Sequence, residues 1–239
     1  PMSGIGKRFL DAGYKIPKPL ILVDKKTIIE HVCNLFPKED DYIFVCNKNH
    51  LRNTNMKAIL KRLKPKSKII SINPHKLGPV YAVTKVFDLI KSNEEIIVSY
   101  CDYGTKWNYF DFLRKVRNKK SDGAIASYRG FHPHMLGNDN YAFIKEKNKW
   151  LIKIKEKEPF TKNKMQEFAS NGTYYFRRGE FVKKYFKKII DKKISVDNEH
   201  YVSSVYNLLV KDKLKVLIYE IQNMLQWGTP LDLQEYKKW

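Results

Sequence analysis

Two glycines one residue apart, Gly4 and Gly6, stand beside Lys7 and Arg8, and these residue types together are suited to holding an anion. Glycine accepts positive φ, which lets successive backbone N–H groups face one concavity, and the adjacent cations add fixed charge. Lys18 lies between Pro17 and Pro19. Their fixed φ stiffens the approach of the ammonium, so one phosphate-bearing ligand could meet both the loop and Lys18. Further on, the apolar run Ile96-Ile97-Val98-Ser99-Tyr100 ends in Cys101-Asp102. Ligands of open α/β sheets bind beyond the carboxyl ends of strands, which places Asp102 in a crevice where one carboxylate suits a hard cation such as Mg²⁺. Taken locally, the glycine pair also reads as a flexible turn and Asp102 as a turn or cap residue.

The elements that would position these groups alternate. Thr27 caps a helical pattern from Ile28 to Leu35, Tyr42–Cys46 and Lys68–Ile72 are apolar strands, and a polar helix from Leu51 to Leu63 lies between them. Gly78-Pro79 opens a further helix through Ile90, whose N-terminus presents free backbone N–H groups above the sheet. Such alternation without hairpin signals predicts a parallel sheet. After residue 120 the pattern changes to strands at Ala124–Tyr128, Tyr141–Ile144 and Trp150–Ile154 separated by polar turns, which predicts a smaller mixed or antiparallel portion. Helices up to Ile190 and over Asn207–Val210, and a strand at Lys215–Tyr219, complete the chain.

The opening Gly4-Ile5-Gly6-Lys7-Arg8-Phe9, followed by Pro17-Lys18-Pro19-Leu20-Ile21, resembles the start of the sugar-phosphate nucleotidyltransferases. Asn171-Gly172-Thr173-Tyr174-Tyr175-Phe176 and Gln226-Trp227-Gly228-Thr229-Pro230-Leu231-Asp232-Leu233 resemble that family's later motifs, so the likeness runs from Gly4 to Leu233. It implies a Rossmann-like three-layer αβα fold related to the GT-A type, with a mainly parallel central sheet and a smaller acceptor-side portion. The expected organisation is one domain over 1–239, with a nucleotide-binding half at 1–120 and an acceptor-binding half at 121–239. In the family the glycine loop follows a first strand, whose residues are expected before Pro1.

The resemblance implies attack of a phosphorylated acceptor on a nucleoside triphosphate, with release of pyrophosphate. Nucleotide binding falls to Met2, Ser3, Gly4, Gly6, Lys7, Arg8, Gly78, Pro79, Ala82 and Asp102. The acceptor falls to Lys18, Tyr103, Glu156, Lys157, Asn171, Gly172 and Thr173. The catalytic set is Arg8, Lys18 and Asp102, with Mg²⁺ on Asp102. Gln226 stands where the family commonly carries a second acidic metal ligand, so the metal would rest on fewer carboxylates or recruit Asp197 or Glu199. The likeness is greatest to small capsule and surface-polymer cytidylyltransferases, which implies CTP as donor and phosphoglutamine, a sugar 1-phosphate or phosphocholine as acceptor.

Composition bounds these expectations. The 239 residues are 43% hydrophobic, enough for one globular α/β domain. No apolar run approaches the roughly 20 residues of a membrane span and no signal peptide is visible, so a cytoplasmic protein without membrane insertion is expected. Lysine and arginine exceed acids by 46 to 25, giving +21. The excess is scattered rather than blocked, which disfavours a nucleic-acid partner and suits a solvated surface that draws in phosphorylated substrates. Cys33, Cys46 and Cys101 form no CxxC and read as buried free thiols, while His132 and His134 lack zinc-motif spacing. Two other classes stay open on the residues alone: a metal-dependent glycosyltransferase, which would usually show D-x-D at the strand end, and a basic nucleic-acid-binding module.

Overall fold

The computed structural model describes residues 1–238. In chain order they form α1 (Lys7–Asp11), β1 (Leu22–Val23), β2 (Lys26–Thr27), α2 (Ile28–Asn34), β3 (Ile43–Asn47), α3 (Lys48–Asn53), α4 (Met56–Leu63) and β4 (Lys68–Ile72). There follow α5 (Gly78–Thr84), β5 (Ile96–Ser99), β6 (Tyr103–Lys106), α6 (Tyr109–Asn118), β7 (Gly123–Tyr128), β8 (Ala142–Lys147), β9 (Trp150–Glu156) and β10 (Phe168–Phe176). The chain closes with α7 (Gly179–Asp191), α8 (Val202–Lys211), β11 (Val216–Glu220), β12 (Asn223–Gln226) and α9 (Pro230–Lys238).

Local chemistry accounts for several boundaries. The Thr27 hydroxyl accepts the Glu30 N–H at 3.3 Å and caps α2, as its position ahead of the apolar run predicts. The polar helix expected over 51–63 is instead two, because Thr54 takes an extended backbone and its hydroxyl receives the Met56 N–H. Hydroxyls compete for backbone groups in this way and break helices. The helix opened by Gly78 ends at Thr84 rather than at Ile90, a 3₁₀ turn at Phe87–Leu89 replacing its tail.

The main sheet runs β5-β10-β7-β11-β9-β8, and β8 turns back to pair with β10, so five of its strands close into a small ring. Strands alternate their side chains between faces. In β10, Ala169 and Tyr175 enter a cluster shared with α2, α4 and α6, whereas Phe168, Tyr174 and Phe176 enter one shared with α5, α7 and α8. Both faces of β10 are thus covered, which is why all nine of its residues are buried. A smaller cluster under α1 and α9 holds Phe9, Ile28, Trp227 and Leu233.

The mixed α/β architecture is as expected, but the mainly parallel sheet is not what forms. Within the main sheet only β7–β11 is parallel, and β3–β4 is a separate parallel pair. The hairpin strands β8 and β9 join the central sheet instead of standing apart, and β10 runs antiparallel to β5, β7 and β8. Sequence periodicity reports which face of a strand is buried, not which way its neighbour runs.

Candidate active site

The segment Met2–Gly4 lies along the ends of the β3–β4 pair, with parallel bridges Met2–Cys46 and Gly4–His75 and a 2.7 Å hydrogen bond from the Met2 N–H to the Val45 carbonyl. Of the two glycines only Gly6 takes a positive φ, 70°, and it turns the chain into α1. The N–H groups of a first helical turn have no partner inside the helix. Arg8 is exposed beside them and makes no ion pair among the described residues.

Lys18 enters the same cavity from the Pro17–Pro19 corner. Its Nζ donates to Asp102 Oδ2 at 2.8 Å and to the Gly228 carbonyl at 3.2 Å, and it lies 5.5 Å from the centre of the Phe9 ring. The two side chains are 20% and 27% exposed, so the pair sits in a partly desolvated wall. Burial works to lower the Lys18 pKa, but Asp102, helped by Cys101, outweighs it and holds the ammonium above the usual lysine value. Asp102 lies in the bend between β5 and β6, three residues past the end of β5 rather than on its last residue.

The cavity is about 600 Å³. Of the residues singled out by sequence, Met2, Ser3, Gly4, Gly6, Lys7, Arg8, Lys18, Gly78, Pro79, Asp102, Tyr103, Glu156, Lys157, Asn171 and Gly172 all line it. Two do not. Ala82 is fully buried among the side chains of α5, α7 and α8. Thr173 is fully buried too, its hydroxyl bonded to the Tyr103 hydroxyl, which also meets Ser99 Oγ at 2.9 Å. Burial pushes Tyr103 up to about 12, so this pair is a neutral support at the edge of the cavity. Thr173 follows Asn171 by two residues and meets β6 as Asn171 does, but the Tyr103 hydroxyl closes it off from the cavity, and nothing in the sequence signalled that contact.

Gly78 serves packing as well as lining. Its φ is 81°, and a Cβ there would lie 2.6 Å from the His200 backbone nitrogen. The contact is fastened by hydrogen bonds from His200 N–H to the Leu77 carbonyl and from Val80 N–H to the His200 carbonyl, at 3.0 and 3.1 Å. It docks the Val196–Glu199 turn, with left-handed Asp197 and Asn198, against the start of α5. Another wall is completed by β10, whose pairing with β7 shifts register between Ser170 and Tyr174, while its pairing with β5 continues so that the Gly172 carbonyl accepts the Tyr100 N–H at 2.9 Å. Asn171 donates to Thr105 Oγ1 at 3.0 Å and accepts from the Thr173 N–H at 2.9 Å.

Sequence reasoning passed over His75, Tyr100 and Tyr201, which line the same cavity. His75 Nδ1 accepts the Leu77 N–H at 3.2 Å, which leaves Nε2 to donate to Ser3 Oγ at 2.8 Å. Burial lowers its pKa, so the neutral ring persists. The available signal was positional, since His75 follows the carboxyl end of β4.

Asp102 supplies one carboxylate, and Gln226, paired across β12–β6 with Tyr103, lines the same cavity with a neutral amide. No group of three His, Cys, Asp or Glu side chains comes together among the described residues. Asp197 is engaged by Lys157 and Glu199 by the Tyr201 hydroxyl. One carboxylate with neutral oxygens fits a hard divalent cation whose shell is filled by phosphate oxygens and water, not a cage built by the protein alone.

The chain matches the nucleotidyl transferase family model over residues 2–218 and belongs to that family. A search of curated proteins finds no match. Among solved structures, the nucleoside-diphosphate-sugar pyrophosphorylase of Vibrio cholerae RC9 is similar over 100% of this chain and 98% of its own, with 20% identity and a TM-score of 0.79. A UDP-glucose pyrophosphorylase complexed with UDP-glucose covers 100% and 95%, at 17% identity and TM-score 0.75. The inositol-1-phosphate CTP transferase of T. maritima covers 99% and 91%, at 14% identity and TM-score 0.71. At these identities the likeness establishes the shared fold. Among the described residues no helix is long and apolar enough to cross a membrane.

Proposed function

We propose that this nucleotidyl transferase moves a nucleoside monophosphate, CMP from CTP, onto a phosphorylated small molecule, with phosphoglutamine, a sugar 1-phosphate or phosphocholine as the acceptor and capsule or surface-polymer precursors as the product class. The observation that carries the reading is the meeting of Lys18 and Asp102, 2.8 Å apart, in the cavity that the Gly4–Arg8 loop also lines. Residues 84 apart in sequence thereby serve one ligand space.

An acceptor phosphate oxygen attacks the α-phosphorus, the bond from that phosphorus to the bridging oxygen breaks, and pyrophosphate leaves with the bond's electrons. No covalent enzyme intermediate is required. The barrier is the approach of two polyanions and the charge growing on the leaving group, so the protein acts by positioning and by supplying cations. The loop from Gly4 to Gly6 and the Arg8 guanidinium hold the outer phosphates. Lys18 neutralises charge around the α-phosphate and the attacking oxygen. A divalent cation, Mg²⁺ on the family resemblance, would be held by Asp102 with Gln226 as the nearby neutral oxygen, and when bound it supplies charge neutralisation to the phosphates. Asn171 and Glu156 orient the acceptor, while Gly78 and Pro79 border the nucleotide.

The test is pyrophosphate release from each of CTP, UTP, dTTP, ATP and GTP with a panel of phosphorylated acceptors and Mg²⁺. Release is expected with CTP at the highest kcat/KM. Preference for another triphosphate removes the cytidylyl assignment, and no release with any pairing removes the reading.

A further inference from the structure

The chain carries +21, yet one side of its cavity is acidic. Around the glycine loop, Lys7, Arg8 and Lys18 face a single carboxylate, Asp102. Where β9 ends and the Val196–Glu199 turn begins, Lys157 lines the cavity beside three carboxylates, Glu156, Asp197 and Glu199, with Arg8 bearing on Asp197 and the His75 ring on Glu199 from farther off. Lys157 is already taken, with its Nζ 2.7 Å from Asp197 Oδ2. Glu199 receives only the Tyr201 hydroxyl and Glu156 only the Ser203 hydroxyl, and neither has a lysine, arginine or histidine within 4.0 Å among the described residues. Two cavity carboxylates without a cation, in so basic a protein, are a cost to folding unless a ligand completes them.

The same wall is aromatic. Tyr100 and Tyr201 line it, and Tyr100 stacks edge-on against Tyr174 with centroids 5.5 Å apart. That the Tyr201 ring accepts an ammonium is visible within the chain, because Lys157 Nζ lies 5.0 Å from its centre. Carboxylates and ring faces together are what selects an ammonium or quaternary ammonium group over a sugar hydroxyl.

We infer that the acceptor is a phosphomonoester that also bears an ammonium group, its phosphate directed to Lys18 and Arg8 and its cation held by Glu199, Glu156 and the Tyr100 and Tyr201 rings. This rests on the nucleotidyl-transfer reading and narrows it, since a sugar 1-phosphate brings no cation to that wall. The dipolar cavity matches a dipolar acceptor, anion to the loop flank and cation to the β9 flank.

The experiment follows pyrophosphate release by the full chain with its best triphosphate and phosphoethanolamine, phosphocholine or glucose 1-phosphate. The ammonium-bearing acceptors are expected to exceed glucose 1-phosphate at least roughly tenfold in kcat/KM, as one lost charge or cation–π contact amounts to about that factor. Glu199→Gln should raise their KM about tenfold while moving that of glucose 1-phosphate by less than about twofold. Tyr201→Leu should raise KM for phosphocholine by roughly three- to thirtyfold, whereas Tyr201→Phe, which keeps the ring, should stay within about twofold. This second pair supplies the readout if Glu199→Gln fails to fold. Equal or better use of glucose 1-phosphate overturns the inference and leaves nucleotidyl transfer standing. The absence of release with every acceptor, these three and the wider panel alike, overturns both.

Discussion

Removing either charge of the Lys18–Asp102 pair should have separable effects on stability and on chemistry. At 2.8 Å and an effective dielectric of about 20, the attraction is roughly 6 kcal/mol, most of it offset by the loss of hydration of the two groups. The informative quantity is therefore the cost of leaving one partner alone. In Asp102→Asn the ammonium keeps the Gly228 carbonyl and the Phe9 ring but loses its counter-charge, which should cost about 1–2 kcal/mol, or roughly 2–8 °C in Tm for a chain of this size. In Lys18→Met the carboxylate that remains is 27% exposed and can rehydrate, so the loss should be smaller. The double variant, with neither charge stranded, should be more stable than Asp102→Asn alone. Each single variant should lower kcat/KM for pyrophosphate release by about 10²–10⁴, the usual loss on removing one transition-state charge contact. Thermal unfolding and initial-rate assays on the same preparations read both effects. Single variants within about threefold of wild type in kcat/KM would refute the site, and strictly additive stabilities would refute the coupling.

Three further outcomes are expected. Burial raises Glu156 to about 7, so the folded state holds its proton more tightly than the unfolded chain. Its contribution to stability is then full below pH about 4.3 and is lost as pH rises to 7, and Glu156→Gln should gain on the order of 2–3 kcal/mol relative to wild type at pH 8 over pH 4, read from paired unfolding curves. The groups bearing on that titration are Ser203, Lys157 and Glu199, together with Tyr100, Tyr174 and Tyr201. Gly78→Ala must accept a positive φ and displace the His200 backbone, so it should destabilise by about 2–4 kcal/mol in denaturant titration. A scattered basic surface should bind duplex DNA only weakly, with Kd of about 10⁻⁴–10⁻⁶ M that weakens steeply with salt, as measured by anisotropy; tight, sequence-selective binding would restore the nucleic-acid reading.

Much of the site was legible because its chemistry is local in sequence. A glycine loop beside cations, a lysine between prolines and an acid after an apolar strand each declare a role, and all three reach one cavity. What escaped was set by long-range packing. Ala82 and Thr173 lie within motifs that line the cavity but are themselves buried, Ala82 among α5, α7 and α8 and Thr173 behind the Tyr103 hydroxyl. Strand direction escaped for a related reason: β7 and β10 are both buried along their whole length, although β7 has one parallel neighbour and β10 has none. Asp197 and Glu199 were named only as carboxylates a metal could recruit, and Tyr201 escaped altogether, because nothing in Asp197-Asn198-Glu199 reveals that the turn will be carried to the mouth of α5.

That docking of His200 onto Leu77 and Val80 makes a single stiff joint of the Val196–Glu199 turn and the first turn of α5, both of which line the cavity. A shift of the turn by an ångström would break two backbone hydrogen bonds or drag the first turn of α5 with it. If, as proposed, the turn meets the acceptor and Gly78 and Pro79 border the nucleotide, binding on one side should be felt on the other without any hinge. Changes in the length of the turn, unlike the isosteric Glu199→Gln, should change the Michaelis constant of the triphosphate along with that of its co-substrate, so that altering acceptor preference through the turn's backbone means retuning both together.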